Sequence, residues 1–402
     1  MLSRRWRELT GGLPAAFWSL WTITLVGNIA SFVLIFLTFY LREERGTSPA
    51  EIGVILAISG AGSIAGGLAG GALADRWSRR GTALSGYLLT AIALVGAAVS
   101  TTLPAIAAAM ALFGVGMSFA GTAVSAMITD VVPPADRPRA YSINYWAINV
   151  GTSIAALAAP LAMKSGFATI FILDTIGVVL LAAILWYFVP NTTPEASSEP
   201  QGPSRGAIRT ILADGPFLTF VLLFIGFQLI FKQSNAGLPL AVQHDGLDAA
   251  DYGRIYAVNT LLIVVGQLFL PRLIRDRSYS RVLALGALLV GVGFGLTGAA
   301  DTVWFYALTV AIWTCGEMAY FAVLDSTVGT MAPAALRGRY FGFFGATSQA
   351  SRLAAPLLAG YLLQHHGQSL WVLCFVLGVA TSAGYLLTAR ARDRRTEAIL
   401  TR

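Results

Sequence analysis

Glu317 stands in the middle of an apolar run, 302–327, where an ionised side chain has no water to solvate it. A charge inside an apolar run of membrane length is costly, and it marks proton relay or the recognition of an ion or solute. The same reasoning selects Asp325 in that run, and Lys232, Arg352 and Asp174, each inside another such run. A carboxylate there is pulled two ways, because desolvation opposes its charge and a nearby cation favours it. A group so balanced can load and release a proton. Glu317 is therefore the first candidate for proton coupling, with Asp325 and Asp174 behind it. The competing reading of Glu317 is a static ion pair with Arg352 or Lys232. Asp325 also reads as a solvated helix terminus, and Asp174 as a surface-facing or locally paired residue.

Uncharged polar and aromatic residues in the same runs extend the candidate substrate site to Asn28, Tyr145, Trp146, Asn149, Gln228, Lys232, Trp313, Glu317 and Arg352. Tyr145 and Asn149 are four apart; Gln228, Lys232 and Asn235 follow i, i+4, i+7 spacing, which places them on one face of a helix. Trp21, Trp146, Trp313 and Tyr320 could stack on an apolar or cationic solute, or simply pack. An enzyme would cluster His, Ser or metal ligands at one depth. The three histidines, His244, His365 and His366, instead fall between apolar runs, and no metal is expected. No nucleotide-binding motif occurs, so the energy source is expected to be a proton gradient, with no other cofactor. Cys315 and Cys374 read as small apolar residues.

These residues sit in a chain of 402 that is 56% hydrophobic and 12% charged, with a mean hydropathy of +0.70. Soluble domains carry about 25% charged residues. The net charge of +7 comes from arginines in short loops, not from a basic stripe, so nucleic acid is not an expected partner. A bilayer core takes about 20 apolar residues per helix. Scanning for such runs gives twelve spans, at 15–40, 51–73, 82–101, 104–129, 140–163, 167–189, 215–238, 252–271, 281–300, 302–327, 338–362 and 369–389. The fold class is therefore an all-α membrane protein. The first run lacks a small-residue cleavage site and is too long for a signal-peptide core, so it reads as a retained span. With the N-terminus in the cytoplasm, 21 of the 27 cations lie in cytoplasmic segments, and only Arg42, Arg45 and Lys164 lie in outside loops. That bias places both termini in the cytoplasm of a bacterial inner membrane.

The longest polar interval follows span six. It divides the chain into a bundle at 1–189, a linker at 190–214 and a second bundle with a cytoplasmic tail at 215–402. An offset of 200 aligns the halves: Pro133, Ala135, Arg137 and Arg139 match Pro333, Ala335, Arg337 and Arg339; Gly86, Leu88 and Leu89 match Gly286, Leu288 and Leu289. Asn28 matches Gln228, and Asn149 matches Gln349. Several matches at one offset indicate duplication.

The most specific segment is the loop after span two, Gly67-Leu68-Ala69-Gly70-Gly71-Ala72-Leu73-Ala74-Asp75-Arg76-Trp77-Ser78-Arg79-Arg80. It resembles the G-x-L-A-D-R-x-G-R-R loop of the major facilitator superfamily, with Gly71, Leu73, Ala74, Asp75, Arg76, Arg79 and Arg80 fitting, and Ser78 where that family usually has glycine. The resemblance implies twelve spans in two pseudo-symmetric six-helix bundles, with a small-molecule substrate bound between them near the midplane. It also implies a gating latch: Asp75 would cap the helix that begins near Gly338, and Arg79 would pair with Asp130. The alternative is charge that serves topology alone. In the second half the equivalent loop has Arg275-Asp276-Arg277 and has lost the pattern, so such gating should be asymmetric. Gly62, Gly66 and Gly70, spaced four apart, read as a close-packing face and as the sliding surface between the halves.

The overall pattern is most similar to the proton-coupled multidrug-efflux branch, which implies antiport of small apolar or amphipathic compounds by a monomer in the lipid bilayer. Asn149-Val150-Gly151 and Ala159-Pro160 in span five resemble the glycine-rich stretch of efflux members, with Ala159 in place of the glycine before proline. An importer of a small polar or anionic solute is the other reading, because Lys232 and Arg352 together could receive an anion. The E-x-x-E-R signature of proton-coupled peptide importers is absent from Thr22–Asn28.

Overall fold

The computed structural model describes residues 11–191, 205–267, 269–274, 277–333 and 336–400. Every regular element there is helical. In chain order these are α1 (Ala15–Ile29), α2 (Phe32–Phe39), α3 (Pro49–Arg76), α4 (Arg79–Val99), α5 (Leu103–Val131), α6 (Arg137–Met163) and α7 (Ala168–Phe188). Then follow α8 (Arg205–Leu212), α9 (Gly215–Phe231), α10 (Gly237–His244), α11 (Ala249–Gly266), α12 (Leu270–Ile274), α13 (Tyr279–Thr297), α14 (Val303–Met331), α15 (Arg337–His365), α16 (Ser369–Leu387) and α17 (Ala389–Leu400). Most of the expected linker, Arg4, Arg5 and Arg7, Ala335, Arg402, and Arg275 with Asp276 lie outside the described residues or beyond what is described of their side chains.

Among the described residues, ten helices are long and apolar enough to cross a membrane. The two other expected spans form helices, α11 with 18 residues and α15 with 29, whose polar side chains dilute their hydropathy. By length and composition, ten of the twelve expected spans among the described residues fit a bilayer crossing.

Contacts divide the chain into two compact units. The first holds 1–40 and 58–198; the second holds 41–57 and 199–402. Segment 41–57, expected in the first bundle, packs with the second unit. The reason is close backbone approach: a Cβ on Gly360 would stand 2.5 Å from the Pro49 carbonyl oxygen and 3.1 Å from Gly53 Cα. Ala50 also donates its amide to Gln364 at 2.9 Å.

Within each unit the duplicated glycines make the same contact. A Cβ on Gly86 would meet the Gly116 carbonyl oxygen at 2.6 Å, and one on Gly286 would meet that of Gly316 at 2.9 Å. The face bearing Gly62, Gly66 and Gly70 packs on α5 inside the first unit, where the added Cβ would stand 2.7 Å from Val115 Cα at Gly66 and 3.0 Å from Phe119 Cα at Gly70. It is an internal seam and not the expected sliding surface. Small residues at four-residue spacing are what allow such backbones to touch.

Both units open with an interrupted span. In the first, α1 stops at Ile29 and α2 restarts at Phe32; in the second, α9 stops at Phe231, a 3-10 turn covers Lys232–Ser234, and α10 follows. The last helix, α17, is strapped onto the second unit by two arginines. Arg392 donates to Ser280 Oγ at 2.8 Å and to the Tyr385 carbonyl, and Arg395 donates from Nε and Nη2 to Asp214 Oδ2 at 3.1 and 2.9 Å.

Candidate functional site

Glu317 lies at the midpoint of α14, with fourteen residues on either side, and is 6% exposed. The preceding residue, Gly316, is pressed against α13, so the next position along turns its side chain toward α11. There Asn259 donates from Nδ2 to Glu317 Oε2 at 2.7 Å and to Thr314 Oγ1 at 3.0 Å. Thr314 sends its own hydroxyl proton to the Val310 carbonyl at 2.6 Å, so its oxygen can only accept from Asn259. That fixes the amide orientation and makes Glu317 the acceptor. Among the described residues no cation lies within 4 Å of the Glu317 carboxylate. The expected static pair with Arg352 or Lys232 is therefore not formed; a neutral amide holds the acid instead.

The two cations stand nearby on other helices. Lys232 begins the 3-10 turn after α9, with Nζ 5.2 Å from the centroid of the Phe231 ring, and is half-buried. Arg352 lies near the middle of α15 and is exposed. Gln228 is buried and donates to Ser348 Oγ at 2.7 Å. Because the α-helix ends at Phe231, Asn235 does not continue the face of Gln228 and Lys232 as its spacing implied. Trp313 is 1% exposed, its ring stacked on Phe294 with centroids 5.2 Å apart; it packs α14 onto α13. Asp325 is exposed, six residues before the end of α14, as a solvated terminus would be.

In the first unit, Trp21 and Trp146 stack with centroids 6.4 Å apart and planes 11° from parallel. Trp21 Nε1 donates to the Ile143 carbonyl at 3.1 Å. Asn28 donates to the Thr24 carbonyl and accepts from Thr152 at 3.4 Å. Asn149 is buried and donates to the carbonyl of Tyr145, whose ring is exposed. Asp174 is 2% exposed, which overturns the surface-facing alternative. Its two oxygens accept the amides of Phe32 and Val33, each at 2.9 Å. It thus caps the restarted half of span one from a different helix, supplying the acceptor that the break removed.

At the arginine-rich end of this unit, Arg79 Nε lies 3.0 Å from Asp130 Oδ2, the pair that the loop pattern implied. Arg80 donates to the Trp186 carbonyl and lies over its ring at 4.6 Å. Ser78 occupies the place of the family's glycine as a helix cap, accepting from the Gly81 amide at 3.1 Å and donating to Asn191 at 2.9 Å. Asp75 and Arg76 are exposed, no side chain crowds Gly71 within 4 Å of an added Cβ, and the same holds at Gly338 in the other unit. Among the described residues no group of three or more His, Cys, Asp or Glu could hold a metal. A cavity of about 600 Å³ lies at the start of α9, lined by Arg209, Asp214, Tyr340 and Arg395, away from the helix midpoints that carry Glu317 and Arg352.

Sequence reasoning missed Asn259. A lone asparagine in a span rarely stands out, and its signal is the spacing of Glu317 and Thr314, three apart on one face of the partner helix.

Comparison with known proteins agrees with this architecture. The chain is 26% identical over 372 residues to a Na(+), Li(+), K(+)/H(+) antiporter of Planococcus maritimus, covering 83% of this chain and 87% of that one. It is 24% identical over 367 residues to the multidrug resistance protein MdtH of Cronobacter sakazakii (strain ATCC BAA-894), covering 89% and 90%. A crystal structure of a mutant of the nucleoside transporter NupG superposes with a TM-score of 0.79 at 14% identity, covering 93% of this chain and 99% of that one, a likeness of fold. The family model of the Major Facilitator Superfamily matches residues 20–356, and the chain is a multi-pass membrane transporter belonging to that family, not an enzyme.

Proposed function

We propose that the protein is a proton-coupled secondary transporter that works by alternating access, with Glu317 as the proton carrier. The observation that carries this is the Glu317–Asn259 bond at 2.7 Å in the middle of α14. A carboxylate pinned to a cation is neutralised and fixed; one held by a neutral amide keeps its charge free to respond to a proton or to a nearby ligand. Asp325 and Asp174 are secondary: one is exposed near a helix end, the other is occupied as a cap.

Export of small apolar or amphipathic compounds by antiport is one form of this function, and the names of the antiporter and multidrug relatives support it. A second form, uptake of a small polar or anionic solute together with protons, is favoured by Lys232 and Arg352, which have no acid within 4 Å among the described residues. Everted vesicles loaded with the protein and tested with and without a pH gradient measure the coupling. Glu317→Gln is expected to abolish gradient-driven transport while leaving membrane insertion intact. Full coupled transport by that variant removes Glu317 from the mechanism.

The loop after span two completes the proposal as a gate. Arg79 and Asp130 form its fixed half, and Asp75 is the anion left to act at a helix N-terminus, an interaction of typically 0.3–1 kcal/mol. Asp75→Asn is expected to shift the conformer population toward the state open on the cytoplasmic side. Interspin distances between labels on the arginine-rich ends check this, and an unchanged distribution reduces the loop to a topology signal.

A further inference from the structure

Lys232 and Arg352 are charges for which proton carriage gives no use. Three cross-links set the register of the helices that bear them. Tyr340 donates to Asp214 at 2.9 Å, Gln228 to Ser348 at 2.7 Å, and Gln233 to the Ala355 carbonyl at 3.3 Å. Residue numbers rise together along both chains, so α9 with its following turn runs parallel to α15. Lys232 and Arg352 each lie four residues beyond the Gln228–Ser348 link and just before the Gln233–Ala355 link. They are therefore on one level, about 6 Å above the Gln228–Ser348 link at 1.5 Å per residue. Lys232 lies within electrostatic reach of both Arg352 and Glu317.

Two like charges at matched depth inside membrane-spanning helices repel each other, and half-buried Lys232 also bears part of its desolvation cost. Among the described residues nothing within 4 Å offsets them: the one nearby acid is turned to Asn259, and Arg352 is exposed. The Phe231 ring beneath Lys232, packed edge-on against Phe321 with centroids 5.3 Å apart, adds an apolar floor. Such a pair is stable in a bilayer if a passing ligand supplies the missing negative charge.

We infer that Lys232 and Arg352 form the binding site for the headgroup of an organic anion, a small carboxylate with an apolar body, and that this anion moves with the proton. The direction of coupling rests on Glu317 being the proton carrier. Ionised Glu317 repels an anion at Lys232, and neutral Glu317 does not, so anion and proton each favour the other's binding; by linkage the effect is reciprocal. A cationic cargo would have the opposite sign. The titratable groups within reach of Glu317 are Lys232 and, on span eight, Tyr256; Arg352 acts on Lys232, and span nine adds none among the described residues.

The test uses purified protein in detergent, with benzoate, octanoate and succinate compared against benzamide, octanamide and succinamide by thermal shift and calorimetry. At least one acid is expected to stabilise the protein while its amide does not. Lys232→Gln or Arg352→Gln should weaken that acid at least tenfold, and Lys232→Arg should restore most of it. Equal stabilisation by acids and amides, no stabilisation by any acid, or acid binding that survives both neutral variants overturns the site. Proton uptake is then measured in weak buffer as the acid binds. Uptake in the native protein and none in Glu317→Gln is expected. Proton release overturns cotransport, whereas uptake that persists in Glu317→Gln leaves the anion site standing and removes Glu317 as the carrier.

Discussion

Asn259 decides what kind of acid Glu317 is. A hydrogen bond to a charged group contributes about 1.5–3 kcal/mol. Removing the donor leaves a buried carboxylate facing leucine or alanine with no replacement. Asn259→Leu is therefore expected to slow proton-driven transport by roughly tenfold to a hundredfold, at about 1.4 kcal/mol per factor of ten. Asn259→Asp should be worse than Asn259→Leu, because it sets two acids against each other. Gradient-driven flux in vesicles at equal protein level reads both, and native rates in Asn259→Leu would strike the amide from the mechanism. The acid itself was legible in the sequence because an ionisable residue in an apolar run is conspicuous. Its partner was not, since an asparagine in a span has many uses and only the fold brings position 259 to position 317. Trp313 makes the complementary point: its depth was readable, but the face it presents, stacked on Phe294 inside the second unit, was not.

At the scale of the element, the interruption of span one shows how a distant side chain completes a helix. Residues 15–40 read as one unbroken apolar run, and neither glycine nor proline marks Ala30 or Ser31 as a break. The mark lies about 140 residues away in Asp174, whose carboxylate takes two amides that no carbonyl within α2 can reach. A buried amide left without its acceptor costs about 1–3 kcal/mol. Asp174→Ala is thus expected to lower the melting temperature in detergent by several degrees, and Asp174→Asn, which keeps one acceptor oxygen, by less. A further readout separates capping from proton carriage: Asp174→Asn should retain gradient-driven transport. Loss of coupling with an unchanged melting temperature would place Asp174 on the proton route instead. The glycine seam gives a second case. Gly66→Leu forces a side chain onto the backbone of α5 at Val115, and loss of folded protein on size-exclusion chromatography is expected; normal yield would mean that α3 and α5 do not pack as closely as described.

Over the whole molecule, two patterns in the chain carry most of the architecture. The repeat at an offset of 200 was visible as matched glycines and arginines, and it corresponds to the Gly86–Gly116 and Gly286–Gly316 contacts in the two units. The charge pattern carries an expectation about which end faces the cytoplasm. Arginines 76, 79, 80, 137, 139, 337, 339, 390, 392, 394 and 395 all lie in segments expected on the cytoplasmic side, while Lys164 lies in a loop expected outside. Lys and Arg in short loops are retained on the cytoplasmic side during insertion, each loop adding to the same preference. Arg392 and Arg395 tie the C-terminal helix to Ser280 and Asp214, so it is expected on the same side as they are. A fluorescent-protein fusion after Arg402 should therefore glow in cells, and an alkaline phosphatase fused at the same point should be inactive. Phosphatase fused after Ser165 should be active, because that loop is expected outside. The reverse pattern at both points would invert the molecule in the membrane, and with it the side from which the proposed carrier Glu317 would be loaded.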